Sequence, residues 1–257
     1  MLSVQGLSMN FAGLRALSEV SFEVREGEVR AVIGPNGAGK TTLFNVITGA
    51  LTPQAGELRF SGTSLIGRSA PSIARLGLAR SFQQAQLYRS LSVIENVLLG
   101  CHAAGRSGLL ACGLGLGRAR AEEAAAKEWA QACLARVGYT GREDRIACEL
   151  PLGEQRYVEI ARALATRPRL LLLDEPAAGL NDSETEALGD LVLRLRESGL
   201  TLLVIEHHMR FVMRISDRIV VLNFGEKIAD GEPAAIRQDP AVIAAYLGTD
   251  DGTARAA

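Results

Sequence analysis

The chain has 257 residues, of which 47% are hydrophobic and 22% are charged, and its formal net charge is -1. This composition suffices for one large domain with a substantial core, whereas the near-neutral charge gives no reason to expect a general nucleic-acid binder, which usually needs a basic face. The longest unbroken apolar runs are only a few residues, far below the roughly 20 that span a bilayer, so we expect neither a transmembrane helix nor a signal peptide.

The four cysteines are Cys101, Cys112, Cys133 and Cys148. They show no CxxC spacing, and no histidine cluster lies near them in the sequence. Reduced, partly buried thiols of a cytosolic protein are therefore favoured over disulfides or a metal site.

The first 60 residues read as short strands separated by turns. Val20–Val24 alternates apolar and polar residues, as a half-buried strand does, and Val29–Ile33 is a second strand. Thr41–Gly49 is predicted to be a helix that ends at its glycine. Glu57–Phe60, with a glycine on either side, is predicted to be another strand.

The middle of the chain is predicted to be helical. Helix begins near Ser90, and residues 118–137 are rich in Ala, Glu, Arg and Lys. Gly105–Gly117 contains five glycines among apolar residues and is predicted to be a loop or a weakly ordered insertion, with no mechanistic importance. We therefore expect a helical lobe near residues 85–155, inserted into an α/β core.

The α/β pattern returns after Pro151. The predicted helices are Tyr157–Thr166 and Glu184–Ser198, and the predicted strands are Leu170–Leu173, Leu202–Ile205 and Ile219–Leu222. The continuous leucine strand is typical of a parallel sheet that is covered on both faces. We expect a single domain over residues 1–249 and a flexible tail over residues 250–257.

A glycine-rich loop follows the second predicted strand. Residues 34–41 read Gly-Pro-Asn-Gly-Ala-Gly-Lys-Thr and match the pattern Gly-x-x-x-x-Gly-Lys-Ser/Thr between a strand and a helix. Such a loop points backbone N–H groups at phosphate oxygens, Lys40 adds a charge at the β- and γ-phosphates, and the Thr41 hydroxyl can bind Mg²⁺. A purely structural turn needs neither side chain, so we predict a nucleoside triphosphate site; the loop alone leaves kinases, GTPases and motor ATPases open.

Two acidic residues, Asp174 and Glu175, end the leucine strand. An aspartate at this position is well placed to hold Mg²⁺, directly or through water, and the following glutamate can accept a proton from an attacking water. An isolated Asp-Glu pair is more often an ordinary strand end. The apolar run before the pair and Pro176 after it favour the functional interpretation.

A histidine pair follows another strand. His207 lies just beyond the predicted strand and Glu206, on the edge where parallel α/β sheets bind ligands. It comes 32 residues after Glu175 (207 − 175), which fits one helix and one strand, so its ring can reach a γ-phosphate. His208 is the competing candidate, because the sequence does not say which ring turns inward.

In this order and at these spacings, the motifs resemble the ATP-binding subunits of the ABC transporter superfamily over nearly the whole chain. Gly34–Thr41 resembles the Walker A motif, and Leu170–Asp174 with Glu175 resembles the Walker B motif and the catalytic glutamate. The resemblance implies a P-loop NTPase core with an N-terminal antiparallel β subdomain and an inserted helical subdomain.

The resemblance also gives roles to isolated residues. Gln83 falls at the Q-loop position that reaches the metal and the attacking water, and Phe11 at the aromatic position that stacks on adenine; without the resemblance, a core phenylalanine is the better interpretation. Asn181 lies in the D-loop, where aspartate is more usual, and His207 matches the switch histidine. The implied ATP-binding residues are Phe11, Gly34, Pro35, Asn36, Gly37, Ala38, Gly39, Lys40, Thr41, Thr42 and Asp174; the catalytic residues are Glu175, His207 and Gln83; and the Mg²⁺ ligands are Thr41, Gln83 and Asp174.

The signature segment is both diagnostic and divergent. Leu150, Pro151, Leu152, Gly153, Glu154 and Gln155 occupy the place of the family's Leu-Ser-Gly-Gly-Gln, which contacts the ATP of the partner subunit. Pro151 replaces the usual serine and offers neither a hydroxyl nor a backbone N–H. Any γ-phosphate contact must then come from Gly153 and its neighbours, aided by the following helix N-terminus. This Leu-Pro-x-Gly-Glu-Gln form is similar to the ATPase subunits of branched-chain amino acid importers.

The family resemblance implies cofactors and partners. Two ATPase subunits, identical or different, would sandwich two ATP molecules with Mg²⁺, and hydrolysis would reopen the sandwich. The region after Gln83 would pass this motion to transmembrane permease subunits, with a solute-binding protein acting indirectly and no nucleic acid involved. The chain would then lie peripherally on the cytoplasmic face of the membrane.

Rival functions explain less of the sequence. Soluble ABC ATPases that act on DNA or ribosomes usually carry two cassettes or long coiled-coil insertions, which this chain lacks. A GTPase would need an Asn-Lys-x-Asp motif, which is absent, and neither a GTPase nor a P-loop kinase explains the signature segment. Within transporters, an exporter, a lipid-extracting complex and a urea-type or other amide importer remain open, because the cargo is selected by other subunits.

Overall fold

A computed structural model of the chain describes residues 1–11, 13–81, 87–104 and 117–247, without the side chains of 102–104 and 117–120. Ten strands and nine α-helices lie within these ranges. Numbered in chain order, the strands are β1 Leu2–Phe11, β2 Leu14–Val24, β3 Val29–Ile33, β4 Ala55–Phe60, β5 Thr63–Ser64, β6 Leu78–Arg80, β7 Leu170–Asp174, β8 Thr201–Ile205, β9 Arg218–Asn223 and β10 Glu226–Gly231.

The helices fall between and after the strands. They are α1 Lys40–Ile47, α2 Ala70–Arg75, α3 Val93–Ala104, α4 Gly117–Val137, α5 Leu152–Ala165, α6 Asp182–Glu197, α7 Met209–Ile215, α8 Pro233–Gln238 and α9 Pro240–Leu247, with a 3₁₀ turn at Ala147–Glu149. In the part of the chain that the structure describes, no helix has both the length and the apolarity needed to cross a bilayer.

The strands form two sheets. A four-stranded antiparallel sheet has the order β2-β1-β4-β5, and a six-stranded sheet has the order β10-β9-β3-β8-β7-β6. Within the second sheet β9, β3, β8, β7 and β6 are parallel, and only β10 at the edge runs antiparallel to its neighbour. Strands β3, β7 and β8 are buried along their whole length, as expected for a parallel sheet with both faces covered.

Alternate residues of the parallel strands face two different cores. Leu170 and Leu172 join the apolar cluster that contains α1 and the antiparallel sheet, whereas Leu171 and Leu173 join the cluster formed with α3, α4, α5 and α6. This division follows from the two-residue period of a strand. Helix α1 therefore lies between the two sheets, and its Phe44 is fully buried there. A third, smaller cluster joins β3 and β9 to the C-terminal helices α8 and α9.

The predicted strands are confirmed to within two residues at each end, except that the strand predicted to begin at Val20 begins at Leu14. The helix predicted to end at Gly49 ends at Ile47. The helix predicted from Tyr157 begins five residues earlier, at Leu152, because Pro151 has an extended conformation that starts the helix directly after it. Residues 105–116 of the predicted glycine-rich loop lie outside the described residues, and Gly117 is already the first residue of α4. The proposed bounds of the helical lobe and of the C-terminal tail stay predictions.

Candidate nucleotide-binding site

Three loops meet at the carboxyl edge of the parallel sheet. Strand β3 leads into Gly34, β7 into Glu175 and β8 into Glu206. The strand register brings these ends side by side, because Ile205 pairs with both Val32 and Asp174. This is the edge at which open α/β sheets bind ligands.

The glycines of the first loop are required by close backbone contacts. A Cβ atom on Gly34 would lie 2.1 Å from the carbonyl oxygen of Leu222, and one on Gly39 would lie 2.4 Å from that of Ala16. Both glycines also have positive φ angles, 152° and 99°, which other residues adopt at a cost. The loop is therefore fixed from both sides by β9 and β2.

The Lys40 side chain is folded back onto the loop. Its ammonium group donates hydrogen bonds to the carbonyl oxygens of Gly34 at 2.7 Å and Pro35 at 2.9 Å, and the residue is buried. Burial lowers the pKa of Lys40, and the nearby carboxylates of Glu175 and Asp174 oppose that change. The charge is thus held at the mouth of the loop, where a phosphate group would repay its desolvation.

The hydroxyl-bearing residues follow the lysine on α1. Thr41 is exposed in the first turn of the helix and Thr42 is half-buried, while Asn36 and Gly37 are exposed at the tip of the loop. Ala38 is buried beneath them. The exposed backbone and the Thr41 hydroxyl therefore face the side from which a ligand can approach.

The two acidic residues after the leucine strand have different surroundings. Asp174 is buried, and its Oδ2 atom accepts a hydrogen bond from Arg80 at 2.6 Å. Glu175 is more accessible, and its φ angle is 45°, a left-handed conformation that costs a non-glycine residue of order 1 kcal/mol or more. Its backbone N–H donates to the carbonyl of Ile205 at 2.9 Å. The turn therefore directs the Asp174 carboxylate into the core and the Glu175 carboxylate towards solvent.

The histidine that approaches the second acid is His207. Its Nδ1 atom lies 3.8 Å from Oε2 of Glu175, and its side chain is 54% exposed. His208 is the N-terminal cap residue of α7 and is exposed. The geometry favours His207 over His208 as the ring associated with the phosphate site.

A buried carboxylate stabilises the histidine loop. Glu206 is fully buried, and it accepts hydrogen bonds from the backbone N–H groups of Ala177 at 2.8 Å, His207 at 3.0 Å and His208 at 3.3 Å. One side chain thus joins the loop after β8 to the loop after β7. The two side-chain oxygens of Glu206 can accept all three of these hydrogen bonds.

Phe11 ends strand β1, in the hairpin that contacts the phosphate loop. It pairs with Leu14 across the turn, and its side chain is 42% exposed. Ala16 of the same hairpin lies against Gly39. An aromatic ring that is open to solvent, in a hairpin that contacts the phosphate loop through Ala16, fits a base-stacking position better than a core position.

The signature segment begins helix α5. Pro151 is the cap residue, with φ −52° and ψ 150°, and its side chain makes no capping hydrogen bond. Pro151 and Leu152 are exposed, and Gly153 and Glu154 are partly buried. The Gln155 side chain turns inward and donates to the carbonyl oxygens of Cys148 and Leu150. The exposed helix start is therefore the part of the segment that can meet another molecule.

The signature segment also contacts the loop after Glu175. A Cβ atom on Gly153 would lie 2.9 Å from Oε1 of Glu184, and one on Gly179 would lie 2.8 Å from the Leu152 side chain. Asn181 begins α6 with a capping box, in which its side chain accepts from the Glu184 backbone and Glu184 accepts from the Asn181 backbone. The asparagine found where aspartate is more usual thus serves as an effective helix cap.

The residues at the sheet edge fit a magnesium ion. Mg²⁺ prefers hard oxygen ligands, is usually held by one or two protein groups and completes its shell with phosphate and water. The Thr41 hydroxyl and the Asp174 carboxylate are ligands of that kind, and both flank Lys40 in this arrangement. Gln83, the third predicted ligand, lies outside the described residues.

Two residues of this region were missed as site residues by sequence reasoning. Arg80 binds Asp174, and Glu206 fixes the histidine loop. The available signal was the same for both, a charged residue at the end of an apolar strand. Sequence alone does not distinguish such a residue from an exposed strand end.

Comparisons with known proteins agree with this arrangement. The family model described as ABC transporter matches residues 17–178, and a model described as branched-chain amino acid ATP-binding cassette transporter matches residues 226–252. The high-affinity branched-chain amino acid transport ATP-binding protein LivG of Salmonella typhimurium is 45% identical over 96% of this chain and 98% of its own length. The corresponding protein BraF of Pseudomonas aeruginosa is 46% identical over 96% and 97%.

Solved structures show the same fold. The ADP conformation of an ATP-binding cassette of an ABC transporter has a TM-score of 0.84 at 34% identity, covering 96% of this chain and 98% of that one. A dimeric cassette in a post-hydrolysis state bound to ADP and Pi has a TM-score of 0.77 at 25% identity, covering 91% and 99%. With the phosphate loop, the paired acids and the histidine at one sheet edge, these matches show that the chain belongs to the ABC transporter family, as an ATP-binding cassette.

Proposed function

We propose that this cassette hydrolyses ATP to power the uptake of branched-chain amino acids, or of a similar small polar solute, through membrane-spanning partners. The observation that carries the hydrolytic part is the meeting of Lys40, Asp174, Glu175 and His207 at one edge of the sheet. The solute class rests on the relatives and on the match of residues 226–252.

Each residue has a defined part in the proposed reaction. The backbone N–H groups of the phosphate loop and the Lys40 ammonium bind the β- and γ-phosphates. Glu175 accepts a proton from a water molecule, the water oxygen bonds to the γ-phosphorus, and the bond to the ADP oxygen breaks. His207, whose Nδ1 atom lies 3.8 Å from Oε2 of Glu175, contacts the γ-phosphate beside Glu175. Thr41 and Asp174, with Gln83, would hold Mg²⁺, which neutralises charge on the phosphates when bound.

The C-terminal segment that matches the branched-chain amino acid family is built into this site. Its helix α9 carries Tyr246, whose phenol interacts with the backbone of Gly34, while burial raises the pKa of Tyr246 to about 12. Ile236 and Val242 are buried against β3 and β9. The segment that marks this branch of the family therefore supports the first residue of the phosphate loop.

We propose that the cassette works as a pair, in which each signature segment completes the ATP site of the other subunit. The exposed start of α5 supports this arrangement, because its free backbone N–H groups and positive dipole end suit a phosphate. Hydrolysis then shifts the pair from closed to open, since ATP and its products favour different states. A solved relative of this fold is a dimer with ADP and Pi.

A cavity on the side of α3 and α5 is the proposed docking site for a permease segment. Its volume is about 930 Å³ and its lining is largely apolar. Six of its lining residues are Asn45, Ile73, Arg80, Leu87, Leu99 and Arg162. Arg80 and Leu87 of this lining precede and follow Gln83 in the sequence, so a segment bound there would lie close along the chain to the region predicted to transmit motion. The chain would then lie on the cytoplasmic face of the membrane, bound to its permease.

Replacing Glu175 with Gln tests the hydrolytic mechanism. The amide cannot take the proton from water, so we expect ATP turnover to fall by at least about 100-fold, as is typical when a general base is lost, while MgATP binding persists. The variant should accumulate as a closed, ATP-loaded dimer in size-exclusion chromatography. Glu175→Asp is the matched control, because it keeps the carboxylate on a side chain that is one methylene shorter. Normal turnover by Glu175→Gln with the cognate membrane subunits would reject Glu175 as the base.

The solute is tested separately from the hydrolysis. The cassette should be reconstituted in proteoliposomes with its cognate membrane subunits and solute-binding protein. Uptake of radiolabelled leucine that depends on ATP inside the vesicle is the expected result. Uptake of urea but not of leucine would reject branched-chain amino acids as the solute in favour of urea, and it would leave the proposed ATPase mechanism unaffected.

A further inference from the structure

We propose that Arg80 is a positioning residue, which orients the Asp174 carboxylate for the magnesium ion of the ATP site. This proposal rests on the proposed role of Asp174 as a metal ligand. It goes further, because it assigns a function to a residue outside the ATP-binding, catalytic and signature motifs.

The Arg80 guanidinium joins the helix of the phosphate loop to the strand of the paired acids. Its Nη2 atom donates to Oδ2 of Asp174 at 2.6 Å, and its Nη1 atom donates to Oδ1 of Asn45 on α1 at 2.8 Å, with Thr48 at 3.4 Å. Its plane lies over the Phe44 ring, with 5.5 Å from Cζ to the ring centroid. One planar group is therefore held by two elements of the site.

Strand register explains why Arg80 reaches Asp174. Arg80 pairs with Leu172 in the parallel ladder of β6 and β7, and Asp174 lies two residues further along, on the same face of its strand. The side chains of Arg80 and Asp174 are only 10% and 5% exposed. A charged pair this well buried is costly to desolvate, and its members are retained only with good geometry and further hydrogen bonds.

The contact constrains the carboxylate in the way that a metal ligand requires. The terminal torsion of an aspartate is broad, so an unrestrained carboxylate rotates freely. Arg80 binds one oxygen, Oδ2, and that contact sets the direction of Oδ1, which can serve the ion or its water shell. Residues that orient metal ligands from behind typically affect metal affinity 10–100-fold. Lysine cannot reproduce the contact, because its point charge lacks the planar fork that spans Asn45 and Asp174.

The test measures metal affinity rather than turnover. Mn²⁺ replaces Mg²⁺ as the probe, and its binding to the full chain with ADP is followed by electron paramagnetic resonance. For Arg80→Lys, which keeps the positive charge, we expect Mn²⁺ affinity to fall about tenfold, with ADP binding in EDTA unchanged. Asn45→Ala, which frees Nη1 and keeps the ion pair, should weaken Mn²⁺ affinity by a smaller factor, about threefold. Asn45→Ala also tests the proposal if Arg80→Lys does not fold.

Arg30→Lys is the matched control. Arg30 is a buried arginine of the same sheet, paired with Asp230 at 2.5 Å, and its replacement should leave Mn²⁺ affinity unchanged. Unchanged or tighter Mn²⁺ binding in both Arg80→Lys and Asn45→Ala would overturn the proposal, since tighter binding would mean that Arg80 competes with the ion. Asp174→Asn distinguishes the metal-ligand role of Asp174 from the positioning role of Arg80. If Asp174→Asn leaves Mn²⁺ affinity unchanged, Asp174 is not a ligand of the metal. If Asp174→Asn alone lowers Mn²⁺ affinity, only the role of Arg80 is rejected.

Discussion

The phosphate loop and the signature segment both lie at a helix start and are both proposed to bind phosphate through backbone groups, yet they differ in completeness. The phosphate loop is fixed by contacts with Leu222 and Ala16, and its Lys40 is buried and hydrogen-bonded within the loop. In the signature segment the helix follows the exposed Pro151, which gives it no side-chain cap. The phosphate loop is preorganised within the single chain, whereas the signature segment presents the backbone groups of an exposed helix start to another molecule.

This difference indicates whether the phosphate loop and the signature segment contribute to the free energy of ATP binding in a single chain or only in a pair. A preorganised loop loses little entropy when ATP binds, so a single chain suffices for nucleotide affinity. An exposed helix start gains only when a second molecule brings a phosphate to it. Nucleotide binding should therefore belong to the monomer, and hydrolysis to the pair.

The largest effect is expected from Lys40→Ala. It removes the charge-assisted bonds to the β- and γ-phosphates, each of which contributes about 1.5–3 kcal/mol, so MgATP affinity of the isolated chain should fall by more than about 100-fold. Isothermal titration calorimetry measures this loss. Lys227→Ala, which removes a lysine near Asp230 on β9–β10, is the control and should bind normally. An unchanged affinity for Lys40→Ala would show that the loop does not depend on its lysine.

The second largest effect is expected from Gly153→Asp in the signature segment. A Cβ atom at this position would lie 2.9 Å from Oε1 of Glu184, so the new carboxylate would repel Glu184 and disturb the start of α5, which we propose meets the partner's ATP. Like charges at this range cost enough to lower hydrolysis by the pair about tenfold or more. MgATP affinity of the isolated chain should stay the same, in contrast to Lys40→Ala.

Gly62→Asp adds the same charge at the exposed turn between β4 and β5, where a Cβ atom has no neighbour within 4 Å and the φ angle of 78° costs the variant some stability. It should leave hydrolysis unchanged. A loss of monomeric ATP binding in Gly153→Asp would contradict the division of labour between the two regions.

Pro151→Ser should have a smaller effect, in the opposite direction. Proline already has an extended conformation that serine adopts easily, and a serine cap adds about 1 kcal/mol to helix stability. Its hydroxyl would also offer the partner's γ-phosphate a hydrogen bond that proline lacks. We expect a few-fold lower KM for ATP in the assembled transporter; Pro151→Ala, which removes the ring without adding a hydroxyl, should not lower it.

Sequence reasoning predicted the phosphate loop better than the signature segment for a physical reason. The motif of residues 34–41 is contained in eight consecutive residues, between a strand and a helix that the hydrophobic periodicity predicts. Helix α5 is predicted to begin at Tyr157, whereas it begins at Leu152, directly after the proline. The contacts of Arg80 and Glu206 join strands that are distant in sequence, so no local pattern contains them.

The smallest effect concerns the D-loop side of the signature segment. Asn181→Ala removes the capping box of α6, which should cost about 1 kcal/mol and lower the Tm by about 2–4 °C for a domain of this size. Asn181→Asp keeps an acceptor for the Glu184 backbone N–H and should retain the Tm. Because the box also fixes Glu184, which lies against Gly153, Asn181→Ala should slow hydrolysis by the pair while sparing ATP binding by the isolated chain. Equal loss of ATP binding in the monomer would mean that the two regions are coupled within one chain, and the contrast between them would fail.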